Sequence, residues 1–380
     1  MRLDLNSRSV DGDGLAADAL EVIAEEIRRP FVDLIERLSA GRETDLDWWV
    51  TPLASRNTYV CPLYLRLCQF VLARRLIQAG KFDEVVTDSP ALAEAIAKSA
   101  GQGARASVIG GVGRTSFFRL LGVLRRYAGA LYHAVCQLLV AGLVLPRRTT
   151  MPTGSIVLVD TFIYTDSFAS GKLHDHHYPG MTGCLDAAER SQVFFAPSYY
   201  RIRNYIRFFR GLRRVRNNLI LKEDVLGMGD YLFALGHPFR LRWPKGRIDF
   251  LGVDAGPLIR ETLAESFAGS GAIEGLLRYR FAQRLKERGI SLQRIVEWFE
   301  NQEIDHGANA GWRTFFPDTP VIGYQGFLAS RHYLCMFPTT RELSLCLVPN
   351  RVAVMGKGLV ESVREFCPKL IVDIAPSFRF

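Results

Sequence analysis

The chain has seven cysteines, Cys61, Cys68, Cys136, Cys184, Cys335, Cys346 and Cys367, and no two of them form a C-x-x-C pair. That absence argues against a zinc site. The number is odd and several lie in apolar runs. They therefore read as reduced, buried thiols of a cytosolic protein rather than a disulfide framework. Residues Met1 to Asp13 carry no apolar stretch behind their arginines, so no signal peptide is expected. No nucleotide P-loop ending in G-K-[ST] occurs: Gly110-Gly111-Val112-Gly113-Arg114-Thr115 has the glycines of a phosphate-binding loop without that ending. No internal repeat, low-complexity stretch or nucleic-acid-binding module pattern accompanies the basic residues.

What remains is a chain of 380 residues, long enough for more than one domain, with an ordinary apolar fraction of 48% and a charged fraction of 23%. Lys and Arg number 48 against 39 Asp and Glu, a net charge of +9, and such an excess points to an anionic partner (phosphate groups, nucleic acid or an anionic membrane surface) or to a generic basic surface. Residues 200–216 alternate arginines with aromatic and aliphatic residues, which suits either a membrane face, a phosphorylated substrate or a solvated helix with its apolar side in the core. The run 128–145 is nearly all apolar between Arg125-Arg126 and Arg147-Arg148. It falls short of a clear membrane span of about 20 residues and reads better as a buried or surface-inserted helix.

Periodicity predicts helices over 14–39 (broken near Pro30), 62–78, 91–99, 273–290 and 359–366. Short strands are expected at 45–50, 82–87, 106–109, 155–160, 321–324, 351–355 and 370–374, with 295–299 as a strand or helix. Strands alternating with helices predict an α/β fold with a parallel sheet, whose site lies in the loops beyond the carboxyl ends of the strands. The turn Ser55-Arg56-Asn57 has such a position. His174-Asp175-His176-His177 could supply metal ligands, but neighbours on an extended chain point in opposite directions, so a substrate or catalytic role for Asp175 or a solvated loop fits better. Glu300, Asn301 and Gln302, followed by Asp305 and His306, put carboxylates and amides within a few residues. Glu can take a proton from a sugar hydroxyl, and amides can hold hydroxyl or phosphate oxygens.

These segments form an ordered set with others: Trp48-Trp49, Pro62-Leu63, Leu221-Lys222-Glu223-Asp224, Asp230 to Leu235, Phe316-Pro317, Gly323-Tyr324-Gln325-Gly326-Phe327 and Ala375 to Phe380. From about residue 45 onward the set resembles a family of bacterial surface-carbohydrate biosynthesis proteins of O-antigen and capsule loci. The resemblance implies a two-domain GT-B-like glycosyltransferase, with a Rossmann-like parallel sheet carrying helices on both faces. Residues 1–340 would be the acceptor-side domain, and 345–380 only the beginning of a second, donor-binding Rossmann-like domain. It implies transfer of a sugar from a nucleotide sugar to a lipid-linked glycan acceptor, at the cytoplasmic face of an anionic inner membrane. No cofactor, divalent metal or nucleic acid is required. Glu300, Asp175 and Asp305 would be catalytic. Ser55, Arg56, Asn57, Asn301, Gln302, His306, Tyr324 and Gln325 would bind substrate, with Arg56 on a phosphate. Position 306 departs from the family pattern, which has Arg where this chain has His306, and a basic role there would depend on pH. The alternatives are transfer of a phosphorylated polyol to a wall polymer, and a truncated, non-catalytic membrane-bound scaffold.

Overall fold

A computed structural model describes residues 2–5, 14–100, 105–109, 111–144, 151–164, 167, 173–199, 202–215 and 218–378. Its strands are β1 (Arg2–Asp4), β2 (Glu84–Thr87), β3 (Arg105–Val108), β4 (Ser155–Ile163), β5 (Val193–Tyr199), β6 (Asp249–Phe250), β7 (Val253–Asp254), β8 (Ser291–Trp298), β9 (Val321–Gln325), β10 (Arg351–Val354) and β11 (Ile371–Ile374). The chain divides into two compact units. The first comprises Met1–Ala128, Arg240–Gly269 and Ser330–Leu334, and the second Gly129–Phe239, Ser270–Ala329 and Cys335–Phe380.

The first unit holds a three-stranded parallel sheet, β1-β2-β3, and the small antiparallel pair β6-β7. Its helix Gly14–Leu38 runs through Pro30 without the expected break. One missing N–H costs a single helical hydrogen bond. Ile27, Phe31, Leu34 and Ile35 meanwhile stay buried along one face across it. The expected strand at 45–50 is instead a helical turn, Leu46–Trp49. Asp45 caps it by accepting from the Trp48 amide at 3.2 Å, and the two indole N–H groups donate to Ser39 Oγ and the Arg42 carbonyl, each at 2.9 Å. Capping and these two buried donors outweigh the strand preference of paired tryptophans.

The second unit is built on a six-stranded, wholly parallel sheet in the order β11-β10-β9-β8-β4-β5. This corrects the expected domain division. Residues 345–380 do not open a second domain; β10 pairs with β9, Arg351 beside Ile322, and β11 extends the same sheet. One sheet face carries Val159, Phe195, Trp298 and Tyr324, packed with Phe208, Phe209 and Leu212 of the helix Tyr205–Arg214. Asp160 and Glu297 lie opposite each other in register, one residue out of step with that face, and turn toward the helices Ser270–Glu287 and Glu303–Phe315. Those two helices touch at their backbones. A Cβ on Gly307 would fall inside the Gly275 carbonyl, so glycine is required there for close packing rather than for a turn.

The described part of the apolar run 128–145 is helical as far as Val144. The helix Val112–Cys136 passes into a π-helical segment, Gln137–Val144, and Arg147 and Arg148 lie outside the described residues. Among the described residues, no helix is long and apolar enough to cross a membrane. All seven cysteines are free; Cys61, Cys68, Cys335 and Cys367 are buried, whereas Cys184 is exposed, against expectation.

Candidate functional site

In the second unit the chain leaves β4 for β5 on one side, then crosses back to β8 and continues outward through β9, β10 and β11. The order therefore reverses between β4 and β8. In an open α/β sheet the crevice beyond the carboxyl ends of such a strand pair is where ligands bind. Phe299-Glu300-Asn301-Gln302 directly follows β8, and the 174–178 segment, further along the chain from β4, sets His177 against Phe162 of that strand.

Glu300 and Gln302 are half-buried and bonded together, Gln302 Nε2 donating to Glu300 Oε2 at 2.6 Å. The Trp298 indole N–H donates to the other carboxylate oxygen at 2.8 Å. Asn301 between them is left-handed, with φ of 55°, a conformation asparagine adopts at less cost than most residues. Asp305 holds this loop: its Oδ2 accepts from the amides of Glu300 (3.1 Å) and Gln302 (2.9 Å), at the start of the helix Glu303–Phe315. Burial, reinforced by the charge of Glu300, raises the Asp305 carboxyl well above the ordinary carboxylate range.

The second half of the site meets the first at Trp298. The His177 ring sits 4.6 Å from the Trp298 ring, edge to face, and the Tyr178 ring 6.0 Å from it. Asp175 Oδ1 accepts from the amides of His177 (2.7 Å) and Tyr178 (3.0 Å), and burial raises its pKa, opposed by the Thr161 hydroxyl and these amides. The Trp298 indole thus links Glu300, to which it donates, with the segment of Asp175, whose neighbours His177 and Tyr178 pack on it.

The other expected site residues of this unit face inward. Asn301 and His306 are fully buried on Glu342. His306 Nε2 lies 3.1 Å from Glu342 Oε1, and Asn301 Nδ2 lies 3.4 Å from Oε2, which also accepts from the Thr339 amide at 2.7 Å. The Tyr324 hydroxyl donates to the Pro376 carbonyl at 3.0 Å, and Gln325 Nε2 donates to the Met336 carbonyl at 2.9 Å. These four tie the loop and the Pro376–Phe378 segment to the sheet. Asp305 is likewise a loop anchor. Ser55, Arg56 and Asn57 belong to the first unit and are buried; Arg56 is left-handed, with φ of 56°.

Sequence reasoning missed a buried ionic cluster beside the sheet. Arg278, 1% exposed, bonds Asp160 Oδ1, the Ser198 hydroxyl and, at 3.2 Å, the Ala196 carbonyl. Lys222 Nζ lies 2.5 Å from Glu274, and the Tyr199 hydroxyl donates to Glu223 Oε2 at 2.9 Å. Asn309 Nδ2 donates to Glu297 Oε1 at 2.6 Å. Burial pushes Asp160 up to about 6, with Arg278 opposing, and Glu223 up to about 7, with Lys222 opposing. Burial and the charge of Asp305 drive Glu297 well above its ordinary value. The available signal was an acid inside an otherwise apolar strand, as in Leu158-Val159-Asp160 and Ile295-Val296-Glu297.

Glu223 gives a pH prediction. Its folded pKa of about 7 exceeds the ordinary 4.5, so between those values the folded chain holds a proton that the unfolded chain has released. Stability must then fall as pH rises through that window, by at most about 1.4 kcal/mol per pH unit from this group. Glu223→Gln should flatten the decline between pH 5 and 7 in urea denaturation. Parallel curves for the two proteins would contradict the assignment.

The first unit contains an open cleft of about 930 Å³ lined by Tyr59, Asp88, Phe118, Arg119, Arg126 and Glu265 among others, just beyond the carboxyl ends of β2 and β3. Arg66 and Arg119 each bridge Glu261 and Glu265 there at 2.7–3.2 Å. Thr115 of the glycine-rich segment also lines it, while Gly110 and the Arg114 side chain lie outside the described residues. Among the described residues the side chains at metal-ligand spacing are Glu21, Glu25 and His332, and the 174–177 run does not form such a group.

Fold and site together define an α/β protein with a six-stranded parallel sheet flanked by helices, compatible with a Rossmann-like fold and carrying a carboxylate-amide site at the strand-order reversal. Comparisons with protein-family models, curated proteins and solved structures returned no match.

Proposed function

We propose that the chain is a glycosyltransferase of surface-polysaccharide synthesis, moving a sugar from a nucleotide-activated donor to a lipid-linked glycan at an anionic inner-membrane surface. The observation that carries this reading is the half-buried Glu300–Gln302 pair, bonded to the Trp298 indole on which His177 packs, at the reversal point of the sheet. Glu300 takes the proton of the acceptor hydroxyl as that oxygen bonds to the sugar's anomeric carbon. The bond from that carbon to the nucleotide breaks, and the nucleoside phosphate leaves with the electron pair. Gln302 offers its amide to sugar hydroxyls, and Asp175 supports the developing positive charge on the sugar ring.

Donor binding tests the reading. A ligand that binds only the folded chain stabilises it by about 2.7 kcal/mol at a hundred times its Kd. A panel of nucleotide sugars should therefore contain at least one that raises the melting temperature by several degrees. A shift with CDP-polyols alone would move the assignment to polyol-phosphate transfer. No shift with either class would overturn it.

A further inference from the structure

The helix Val112–Cys136 carries apolar residues on a side that a core cannot use. Phe117, Leu120, Leu121 and Leu124 are 62%, 59%, 50% and 57% exposed. Their spacing of three, four and seven residues puts them on one helical face. The same spacing continues in the sequence at Ala128, Leu131 and Val135. The polar side of this turn of helix is already occupied, since Arg119 bridges Glu261 and Glu265. A contiguous apolar stripe turned outward marks a surface that something covers.

The charge pattern says what covers it. The helix contains Arg114, Arg119, Arg125 and Arg126 and no acidic residue, and no Asp or Glu occurs anywhere between Glu94 and Asp160. Arg125, next to Leu124, is exposed. Apolar side chains flanked by arginine, with acids excluded from a long stretch of chain, match the boundary between anionic headgroups and acyl chains. The arginine-rich helix Tyr205–Arg214, which the sequence offered for this task, instead buries Tyr205, Phe208, Phe209 and Leu212. Its arginines can attract an anionic surface, but those four rings and side chains cannot enter one.

We propose that the Phe117–Leu124 face lies in the plane of an anionic bilayer and is the chain's membrane-docking surface. The inference deepens the membrane-side part of the proposed function and does not depend on its chemistry. It is tested with the full chain and vesicles of equal parts phosphatidylglycerol and phosphatidylcholine, against pure phosphatidylcholine. The native chain should sediment with the anionic vesicles, more weakly as salt is raised, and poorly with the neutral ones. L121E/L124E should weaken binding by about tenfold or more, with circular dichroism, melting temperature and donor binding unchanged because both side chains are exposed. R207E/R210E, on exposed positions of the other basic helix, should lower binding less. Native-like binding by L121E/L124E, a larger loss in R207E/R210E, or no binding of the native chain to anionic vesicles would each overturn the proposal. So would an oligomer of the native chain that L121E/L124E dissolves, since a second copy would then cover the stripe.

Discussion

Glu300→Gln should lower sugar transfer by about 10²- to 10⁴-fold, the usual contribution of a positioned general base, with the melting temperature unchanged. The substitution is diagnostic because glutamine keeps the shape of the side chain and one acceptor oxygen. The Trp298 indole can still donate to that oxygen, as it does to Glu300 Oε1 at 2.8 Å. The negative charge, the ability to take a proton and the acceptor for Gln302 Nε2 are lost, and Gln302 can meet the new amide by turning its own so that its oxygen accepts. If Glu300 merely clamped Trp298 and Gln302, the variant would retain turnover. A kinetic comparison at saturating donor separates the alternatives: a base predicts that kcat falls and KM changes little. Turnover within a few-fold of the native chain would remove Glu300 from the chemistry and leave Asp175 as the remaining carboxylate of the proposed site.

The second large effect concerns stability. Arg278→Ala should cost about 3–5 kcal/mol, the range for removing one partner of a buried ion pair. The guanidinium is 1% exposed and serves Asp160, Ser198 and the Ala196 carbonyl together. Without it, Asp160 and Glu274 remain beside a sheet that excludes water. The loss should shrink as pH falls toward about 6: Arg278 holds the Asp160 carboxyl down at about 6, so without it the buried acid takes up its proton at higher pH and is buried neutral. Pairing Arg278→Met with Asp160→Asn should restore most of the stability, since both charges then leave together. Chemical denaturation of the two variants measures this directly, and a loss under about 1 kcal/mol for Arg278→Ala would contradict the cluster's role.

These two sites were unequally visible in the sequence. Glu300 stood out because polar residues crowd together just after an apolar strand, and that crowding survives as a half-buried loop. Asp160 and Arg278 did not stand out, because their meaning lies in a pairing 118 residues apart. An acid near the end of an apolar run reads as a strand reaching solvent until its partner is known. His306 shows how a distant partner sets burial. Its neighbours suggested a ligand contact, while Glu342, far along the chain, draws it into the interior. Elements were legible where local pattern decides, as for the helix Leu63–Gln78 and the strands β4 and β10. Which sheet a strand joins is not a local property. The 351–374 segment has the same strand-helix-strand pattern whether it begins a new domain or completes an old one, and hydrogen bonding to β9 decided for the second.

The reversal between β4 and β8 also sets the order in which the molecule can assemble. The central pairing of the larger sheet joins Ser155 to Ser291, 136 residues later in the chain. A ribosome would therefore release β4 and β5 well before their central neighbour exists, leaving one edge of an apolar strand and the Asp160 carboxyl without Arg278 for several seconds at ordinary rates of synthesis. Closing so long a loop is slow compared with forming local helices. Folding of this unit should thus wait on residues 270–300, and chaperone occupancy of the nascent chain should peak before they emerge.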